Sequence, residues 1–358
     1  MTSAPQKIFV GLSGGVDSSV VAALLQDAGF QVVGVFIRSW QPEWSICTWR
    51  EDRRSAMAVA AHLGIPFLEC DLSKEYKRYV ADYMIEEYRK GRTPNPDIMC
   101  NREIKFGAFL GWALDRGASK IATGHYAQIV EGATGLSLAR GSDSTKDQSY
   151  FLWTLTKAQL ANAMFPLGGM EKSRVRSLAK KYSLPTASRP DSQGVCMLGD
   201  ISMKDFLREY IDESPGEVIN SDGEVIGRHE GVLFYTLGER HGFIIEVGDR
   251  SQPHYVIEKD IEKNILVVSA ESSAPSVVEQ RIYTLEQVID RSGLLRESYR
   301  GHIQIRHLGE LYPCTVRDRD EEGQKLTLVC DSDTLLLASG QSVVFYEDTT
   351  CIGGGILQ

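Results

Sequence analysis

The sequence has no C-x-x-C pair, although it contains seven cysteines among its 358 residues. Without such pairs, neither a zinc ribbon nor a motif-based iron–sulfur site is supported. The cysteines are odd in number and widely spaced. In a reducing compartment, most of them should be unpaired and buried, where they behave as small apolar side chains. We therefore expect any functional cysteine to act through its reactivity. The seven are Cys47, Cys70, Cys100, Cys196, Cys314, Cys330 and Cys351.

Long hydrophobic runs are also missing. No apolar stretch approaches the length of a membrane span. The first six residues, 1–6, contain no apolar signal core, and the first predicted strand follows at once. We expect a cytoplasmic protein that has no membrane partner.

An excess of positive charge is missing as well, because the formal net charge is −9. This balance argues against nonspecific polyanion binding, so a nucleic-acid partner would have to meet a local basic face. The segment 171–190 is one candidate, since six basic residues there accompany a single acid, Glu171. A solvated helix surface explains the same pattern equally well. The six are Lys172, Arg174, Arg176, Lys180, Lys181 and Arg189.

What is present is the composition of a folded protein of more than one domain, with 42% hydrophobic and 24% charged residues. Over the first ~125 residues, predicted strands alternate with helices, which indicates a parallel α/β sheet with helices on both faces. The predicted strands are 8–10, 31–37, 66–70 and 120–123, and the predicted helices are 18–25, 50–63, 73–89 and 104–115.

The remaining chain has a different texture. Residues 131–140 are predicted to form a hairpin, and short strands separated by glycine turns follow residue 212. From residue 277 on, evenly spaced strands predict a small antiparallel β-barrel. We expect three parts: an α/β domain at 1–211, a β-rich connector at 212–274 and a C-terminal β-barrel at 275–358. A serine-rich linker at 269–276 separates the last two.

A glycine-rich stretch follows the first strand. It comprises Gly11, Leu12, Ser13, Gly14, Gly15, Val16, Asp17, Ser18 and Ser19. Glycines let the backbone approach a ligand, and a turn that opens a helix can cradle an anion with its N–H groups. The common G-x-x-x-x-G-K-[ST] loop is excluded because the lysine is absent. Asp17 beside bound phosphate requires a metal ion or a capping role, and the alternative is a tight turn with serine caps.

The same edge of the sheet should collect further residues. In parallel α/β sheets, ligands bind at the carboxyl ends of the strands. The ends of three predicted strands place Gly11, Ile37 and Gly124 there, and His125 and Tyr126 follow directly.

Two turn-rich segments end in cysteine. The segment 91–101 contains two prolines and a glycine, and it places Cys100 near a predicted helix N-terminus with Arg102 and Lys105 close by. Both features lower the pKa of a thiol, and the polar loop argues against burial of Cys100. The second segment, 189–196, ends at Cys196, and only the fold can bring the two cysteines together.

These motifs resemble the PP-loop ATP pyrophosphatase superfamily and, within it, the bacterial tRNA-specific 2-thiouridylases. The first part is then expected to have the PP-loop fold, similar to adenine nucleotide α-hydrolases. The resemblance extends in order along nearly the whole chain. It rests on the stretches 13–18, 91–97 with 100–101 and 104–106, 123–126, 146–151, 191–196, 340–346 and 353–355.

The resemblance implies a reaction with ATP and Mg²⁺ as cofactors. The wobble uridine in the anticodon arm of certain tRNAs is adenylated at the oxygen on carbon 2, and sulfur then replaces that oxygen. The sulfur comes from a relay that begins at a cysteine desulfurase. By motif, Cys196 would carry the persulfide, Cys100 would close a disulfide with Cys196 as sulfur leaves, and Asp97 would be the general acid or base.

The resemblance also implies the binding residues. ATP would be bound by Gly11, Leu12, Ser13, Gly14, Gly15, Val16, Asp17, Ser18, Ile37 and Gly124, with Asp17 facing magnesium. The target base and tRNA would be contacted by Asn95, Pro96, Asp97, His125, Lys146, Asp147, Gln148, Arg306, His307 and Gln341.

Several of these residues have structural alternatives. His125 fits a structural histidine, Asp97 a turn residue that caps the next helix, and Arg306 a surface charge. Two other functions also stay open: an ATP-dependent amidoligase of the same fold, which needs no cysteine pair, and a noncatalytic RNA-binding protein with a relic loop.

Overall fold

The computed structural model describes residues 5–44, 49–132, 135–191, 196–197, 201–248, 252–270, 281–330 and 337–358. Residues 192–195 of the second cysteine segment and most of the predicted serine-rich linker lie outside them. The first seven strands are β1 (Lys7–Gly11), β2 (Gln31–Arg38), β3 (Phe67–Asp71), β4 (Lys120–Ala122), β5 (Ala127–Gly132), β6 (Gly135–Arg140) and β7 (Ala163–Met164).

Five of these strands form a parallel sheet in the order β3-β2-β1-β4-β7. Successive side chains of a strand point to opposite faces. Accordingly, Ile8 and Val10 of β1 belong to one buried cluster, whereas Phe9 between them belongs to another. The apolar run of β1 is therefore that of a strand covered on both faces. The predicted α/β class is confirmed for this part of the chain.

Helices cover both faces of this sheet. The α-helices are α1 (Val16–Asp27), α2 (Trp49–Leu63), α3 (Ser73–Tyr76), α4 (Tyr83–Arg89), α5 (Pro96–Met99), α6 (Phe109–Leu114), α7 (Lys157–Ala161), α8 (Lys172–Lys181) and α9 (Met203–Arg208). Two π-helical segments, Lys77–Asp82 and Cys100–Ala108, join α3 to α4 and α5 to α6. Helices α1, α2 and α8 pack together over the Ile8 face.

The helix that carries Cys100 begins earlier than the sequence pattern suggests. Residues 91–101 were expected to be a loop, but α5 starts at Pro96. The side-chain Oδ1 of Asn95 accepts hydrogen bonds from the N–H groups of Asp97 and Ile98, both at 3.1 Å. Asn is a strong N-cap and Pro is favoured at the first helical position, so this Asn-Pro pair starts a helix.

A second sheet follows in the middle of the chain, in the order β10-β9-β8-β12-β11. Only β8 and β12 pair in parallel within it. Its strands are β8 (Gly216–Ile219), β9 (Val225–His229), β10 (Ile244–Ile245), β11 (Tyr255–Asp260) and β12 (Ile265–Ser269).

The last six strands close into the predicted antiparallel barrel. They are β13 (Arg281–Asp290), β14 (Arg300–Gln304), β15 (Tyr312–Arg319), β16 (Leu326–Cys330), β17 (Ser342–Glu347) and β18 (Thr350–Leu357). Their order is β13-β16-β15-β14-β17-β18, and β13 pairs back to β18. No helix in the described ranges has the length and apolar character to cross a bilayer.

The hairpin β5–β6 extends this barrel sheet, which the sequence pattern did not predict. One edge of β18 pairs with β13 over 353–357, and the remaining residues Thr350 and Cys351 pair with Ala139 and Leu138 of β6. The buried Arg291 of the barrel adds hydrogen bonds to the carbonyls of Trp153 and Leu155 in the first part of the chain, the latter at 3.0 Å. The barrel is thus bound to the first part of the chain through backbone pairing.

A second contact joins the barrel to the segment before α5. The N–H of Thr93 donates to the carbonyl of Ser339 at 2.7 Å, and Arg92 forms an ion pair with Glu286 of β13 at 2.6 Å. Gly340 has φ +88°, and a Cβ there would lie 2.9 Å from the Thr93 nitrogen. The barrel therefore helps to place Asn95 and the helix that follows it.

We predict that Gly354→Ala destabilises the protein by about 1–3 kcal/mol, because overpacking a filled core has that cost. A Cβ at Gly354 would lie 2.7 Å from the ring of the fully buried Trp153 and 2.8 Å from the carbonyl oxygen of Val343. Thermal unfolding followed by circular dichroism measures the effect.

Gly111→Ala is the matched control. Gly111 lies on α6, and a Cβ there would meet no atom within 4 Å. The control should be neutral or stabilising by up to about 1 kcal/mol. Equal unfolding temperatures for the two variants would contradict this packing argument.

Candidate active site

The glycine-rich loop lies between β1 and α1, at the carboxyl edge of the parallel sheet. Gly14 has φ +81°, and a Cβ there would lie 2.4 Å from the carbonyl oxygen of Asp52. Gly15 is the extended N-cap residue of α1, and no side chain in the described part of the chain caps it. The first-turn N–H groups and the helix dipole can therefore serve an anion.

The serines of the loop divide into two kinds. Ser13 is exposed, while the hydroxyls of Ser18 and Ser19 donate back to the carbonyl of Gly15, at 3.2 and 2.7 Å. Ser19 is fully buried and also accepts a hydrogen bond from Thr186 at 2.9 Å. Ser18 and Ser19 thus shape the turn, while the exposed Ser13 accepts the N–H of Gly15 at 3.3 Å and lies 3.2 Å from the Ser18 hydroxyl.

The other predicted nucleotide residues lie around this loop. A Cβ built on Gly11 would contact Ile37 at 3.9 Å. A Cβ on Gly124 would lie 3.1 Å from both the Cβ of Asp17 and the nitrogen of Ser18. The residues after strand β4 therefore lie directly against the start of α1, and a larger residue at 124 would require its neighbours to move.

Asp17 is paired with Lys172, which the sequence indicated only as part of the basic segment 171–190. The Nζ of Lys172 lies 2.7 and 2.8 Å from the two carboxylate oxygens of Asp17, and the Tyr126 hydroxyl donates to Oδ1 at 2.9 Å. Lys172 also lies 3.0 Å from Asp191. The described residues contain no group of three or more His, Cys, Asp or Glu side chains suited to a metal ion.

The basic segment 171–190 partly faces this loop. Arg189 donates to the carbonyl of Gly14 at 2.8 Å, and Arg176 pairs with Asp191. Burial raises the pKa of Asp191, but Lys172 and Lys146 outweigh it and lower that pKa to about 2. Lys172, Arg176 and Arg189 therefore concentrate positive charge at the anion-binding loop and do not form a separate face.

The two cysteines that end the turn-rich segments are brought together. Their Sγ atoms lie 3.4 Å apart, and both residues are free thiols. Cys100 is fully buried, in contrast to the expectation from its polar surroundings, while Cys196 is half-buried. Because α5 begins at Pro96, Cys100 lies a full turn inside the helix and faces the core.

Hydrogen bonds to the backbone hold Cys196 in place. Its N–H donates to Oδ1 of Asp97 at 3.0 Å, and its carbonyl accepts from the hydroxyl of the buried Tyr76 at 2.7 Å. The next residue, Met197, accepts from Ser39 at 2.9 Å. These contacts attach the cysteine to three separate elements of the first part of the chain.

The negative charge of the pair resides on Cys196. The hydrogen bond from the Cys100 thiol lowers the pKa of Cys196 to about 7, burial opposes this, and the Lys105 ammonium supports it. The same hydrogen bond, together with burial, raises the pKa of Cys100 well above its ordinary value. The neighbours of Cys100 in sequence had instead predicted a lowered pKa for Cys100.

Asp97 borders both cysteines. Burial raises its pKa, and the Cys196 N–H, Lys105 and His307 oppose that shift. His307 comes from the barrel, stacks on Phe151 with ring centroids 4.4 Å apart, and bonds the carbonyl of Asp147 at 2.7 Å. The barrel therefore contributes a side chain to the surroundings of the cysteine pair.

The predicted tRNA-contacting residues occupy different environments. Arg306 is exposed, whereas Asn95, Pro96, Lys146, Gln148, His307 and Gln341 are partly buried. His125 and Asp147 are only 7% and 3% exposed. The carboxylate of Asp147 accepts from the N–H groups of Gly141 and Ser149, at 2.9 and 3.0 Å. Both side chains are therefore largely buried in this structure, and their contact with tRNA stays a prediction.

Three further residues complete the site. Lys172 was visible in sequence only as part of a basic segment, and Lys105 only as a neighbour of Cys100. Nothing in the sequence indicated a functional role for Tyr76, because an aromatic residue on a long predicted helix is typical of the hydrophobic core. All three connect elements that are far apart in the chain, so the local sequence pattern could not predict their partners.

The fold and the site define a nucleotide-binding α/β protein with a paired-cysteine centre and a β-barrel. Three family models match the chain. The "tRNA methyl transferase HUP domain" matches residues 6–200, the "tRNA methyl transferase PRC-barrel domain" residues 204–270, and the "Aminomethyltransferase beta-barrel domain" residues 282–357.

Curated relatives match nearly the whole chain. The tRNA-specific 2-thiouridylase MnmA of Bacillus velezensis is 41% identical over 98% of this chain and 94% of its own. That of Bacillus subtilis (strain 168) is 40% identical with the same coverage, and that of Proteus mirabilis is 41% identical over 99% and 97%. The chain belongs to the tRNA-specific 2-thiouridylase family, which confirms the resemblance seen in the motifs.

We predict that Cys196 is alkylated by iodoacetamide with a midpoint near pH 7, since the thiolate is the reactive form and the pKa of Cys196 is lowered to about 7. Reaction should slow as the pH falls through that value. Peptide-resolved mass spectrometry follows each cysteine, and Cys70, whose pKa is raised to about 12 by burial, is the unreactive control. Faster labelling of Cys100 than of Cys196 would overturn this charge assignment.

Proposed function

We propose that the protein is an ATP-dependent tRNA-uridine 2-sulfurtransferase, which adenylates the carbon-2 oxygen of the wobble uridine and replaces it with sulfur. The observation that carries the proposal is the pair of sulfur atoms of Cys100 and Cys196, 3.4 Å apart beside Asp97. A protein that only activates a substrate with ATP has no need for two facing thiols. The names of the curated relatives support the same reaction.

The activation step belongs to the glycine-rich loop. ATP would place its phosphates at the N-terminus of α1, where Lys172 and Arg189 supply positive charge. AMP is transferred to the uridine oxygen and pyrophosphate leaves. Asp17 fits a Mg²⁺ ion only as a single carboxylate ligand, so phosphate and water oxygens would have to complete its coordination.

The sulfur step belongs to the cysteines. The half-buried Cys196 thiolate accepts a sulfur atom from a persulfide donor and becomes a persulfide. The terminal sulfur attacks carbon 2, the carbon–oxygen bond breaks and AMP leaves. The Cys100 sulfur then attacks Sγ of Cys196, and the bond from Sγ to the sulfur on carbon 2 breaks. A Cys100–Cys196 disulfide forms, and the departing 2-thiouridine takes up the proton that the Cys100 thiol loses. An external thiol must reduce the disulfide before the next turnover.

Asp97 is placed to move a proton in this sequence. Burial raises its pKa, which increases the fraction of protonated carboxyl at neutral pH. We assign it the role of general acid or base for the target base, next to Asn95 and Pro96. Its second function is structural, because it accepts the Cys196 N–H.

The placement of the residues supports an assignment of roles to the three parts of the chain. Residues 1–211 would form the catalytic domain, 212–274 the connector and 275–358 a tRNA-contacting barrel. Arg306, His307 and Gln341 of the barrel, with Lys146 and Gln148, are the tRNA-contacting candidates that are not fully buried. The donor that loads Cys196 would belong to a relay that starts at a cysteine desulfurase.

Other activities fit the site less well. The family models bear methyl transferase names, but a methyl transfer would not require the two facing thiols. An amidoligase of this fold would explain the loop and leave the cysteines without a task. A noncatalytic RNA-binding protein would explain neither.

One assay separates these functions. The protein is incubated with ATP, Mg²⁺, a persulfide donor and unmodified substrate tRNA, and nucleoside mass spectrometry detects 2-thiouridine. We expect product from the wild type and none from Cys100→Ser or Cys196→Ser. Cys70→Ala, which removes another buried thiol, should retain activity. Absence of product from the wild type with an authentic tRNA and a working donor would refute the proposal.

The activation step has its own test. We predict that Lys172→Met lowers tRNA-dependent pyrophosphate release by at least about tenfold, because a paired charge at the phosphate site is lost. Lys180→Met removes an exposed ammonium from the same helix, α8, and should leave the rate unchanged. Equal rates for both variants would place the phosphates away from Lys172.

A further inference from the structure

A lysine lies beside the cysteine pair, on the helix that carries Cys100. Lys105 belongs to the π-helical segment Cys100–Ala108 and follows Cys100 by five residues. In an α-helix, neighbours on one face are three or four residues apart, whereas π-helical hydrogen bonds connect residues five apart. The π geometry therefore turns Lys105 toward the side of the helix that carries Cys100.

The ammonium of Lys105 is held by a buried histidine. Its Nζ lies 3.4 Å from Nε2 of His125, and Nδ1 of His125 lies 2.7 Å from the hydroxyl of Thr123. An ammonium group only donates, so Nε2 must accept and the imidazole must be neutral. Burial and Lys105 both lower the pKa of His125 well below its ordinary value, in agreement with this arrangement.

The histidine itself is fixed in position. It is 7% exposed and packs between Phe106 and Phe165, with ring centroids 5.8 Å away in each case. Thr123 directly follows β4 and is 6% exposed. The chain Thr123–His125–Lys105 thus connects the end of a core strand to the cysteine pair.

The titratable groups around Cys196 come from several elements. Cys100 donates to Cys196, Asp97 accepts its N–H, and Tyr76 bonds its carbonyl. His307 of the barrel acts on Asp97. The positive charge of Lys105 lowers the pKa values of Cys196, Cys100 and Asp97. It thereby stabilises the negative charge that burial of these groups disfavours.

We propose that Lys105 keeps Cys196 as a thiolate ready to accept sulfur, and that His125 acts as a positioning residue that holds the Lys105 ammonium at the sulfur atoms. The inference rests on the proposed sulfurtransferase function and adds two residues to its machinery.

The test measures Cys196 reactivity without ATP or tRNA. Alkylation of Cys196 by iodoacetamide is followed by peptide-resolved mass spectrometry from pH 5 to pH 9 in the full-length protein. For Lys105→Met we expect a pKa of Cys196 raised by at least one unit, and therefore about tenfold slower labelling at pH 7. Lys105→Arg should retain most of the wild-type rate, and His125→Phe should show an intermediate shift.

Lys74→Met, which removes an exposed ammonium from α3, is the control and should follow the wild-type profile. If Lys105→Met does not fold, Lys105→Gln replaces it, since glutamine keeps donors without the charge. A wild-type pH profile in the folded charge-removing variant overturns the inference. Because the readout needs no substrate, failure of thiolation would leave this result unaffected, and the two proposals fail separately.

Discussion

The hydrogen bond from the N–H of Cys196 to the carboxylate of Asp97 is the contact on which the site depends. It joins two segments that lie 99 residues apart in the chain. Asp97 is available for it because the Asn95 side chain caps α5 and satisfies the N–H groups of Asp97 and Ile98. The cap also sets where the helix begins, and so turns Cys100 inward to meet Cys196. The helix cap at Asn95 therefore helps to position the Asp97 carboxylate and the two thiols.

The two thiols are not equivalent, and the difference follows first from the hydrogen bond between them. This bond lowers the pKa of Cys196 and raises that of Cys100, and burial further favours the protonated form of Cys100. The charge then resides on the cysteine that a sulfur donor can reach. This division suits a sequence in which Cys196 reacts first with an outside partner and Cys100 reacts later with Cys196 alone. Lys105 stabilises negative charge at both positions.

Much of this structure was readable from sequence, for reasons that are local. Short apolar runs predicted β1 and β2, turn residues at even spacing predicted the barrel, and the glycines around Ser13 predicted the anion-binding turn. The start of α5 was misread because two prolines near Gly91 indicate a loop. An Asn followed by Pro is also a helix-start signal, so that error was avoidable.

The remaining features depend on partners far away in the chain. The pairing of Lys172 with Asp17 spans 155 residues, and the pairing of β6 with β18 uses a piece of strand edge that β13 leaves open. Neither pairing produces a periodic pattern in the sequence from which it could be predicted. Burial of Cys100 is likewise a property of the assembled core, and its polar neighbours in sequence predicted the opposite.

The covalent chain also limits how far apart the two halves of the site can lie. Asp191 contacts Lys172, which holds Asp17 of the anion-binding loop. Cys196 follows Asp191 by five residues, so their Cα atoms are at most about 18 Å apart whatever path the chain takes between them. In the proposed reaction, activation at the loop and sulfur at Cys196 must serve the same carbon atom of one base. The short connection keeps a thiol within the span of a bound nucleotide and its target, and this is the geometric condition that a stepwise adenylation and thiolation requires.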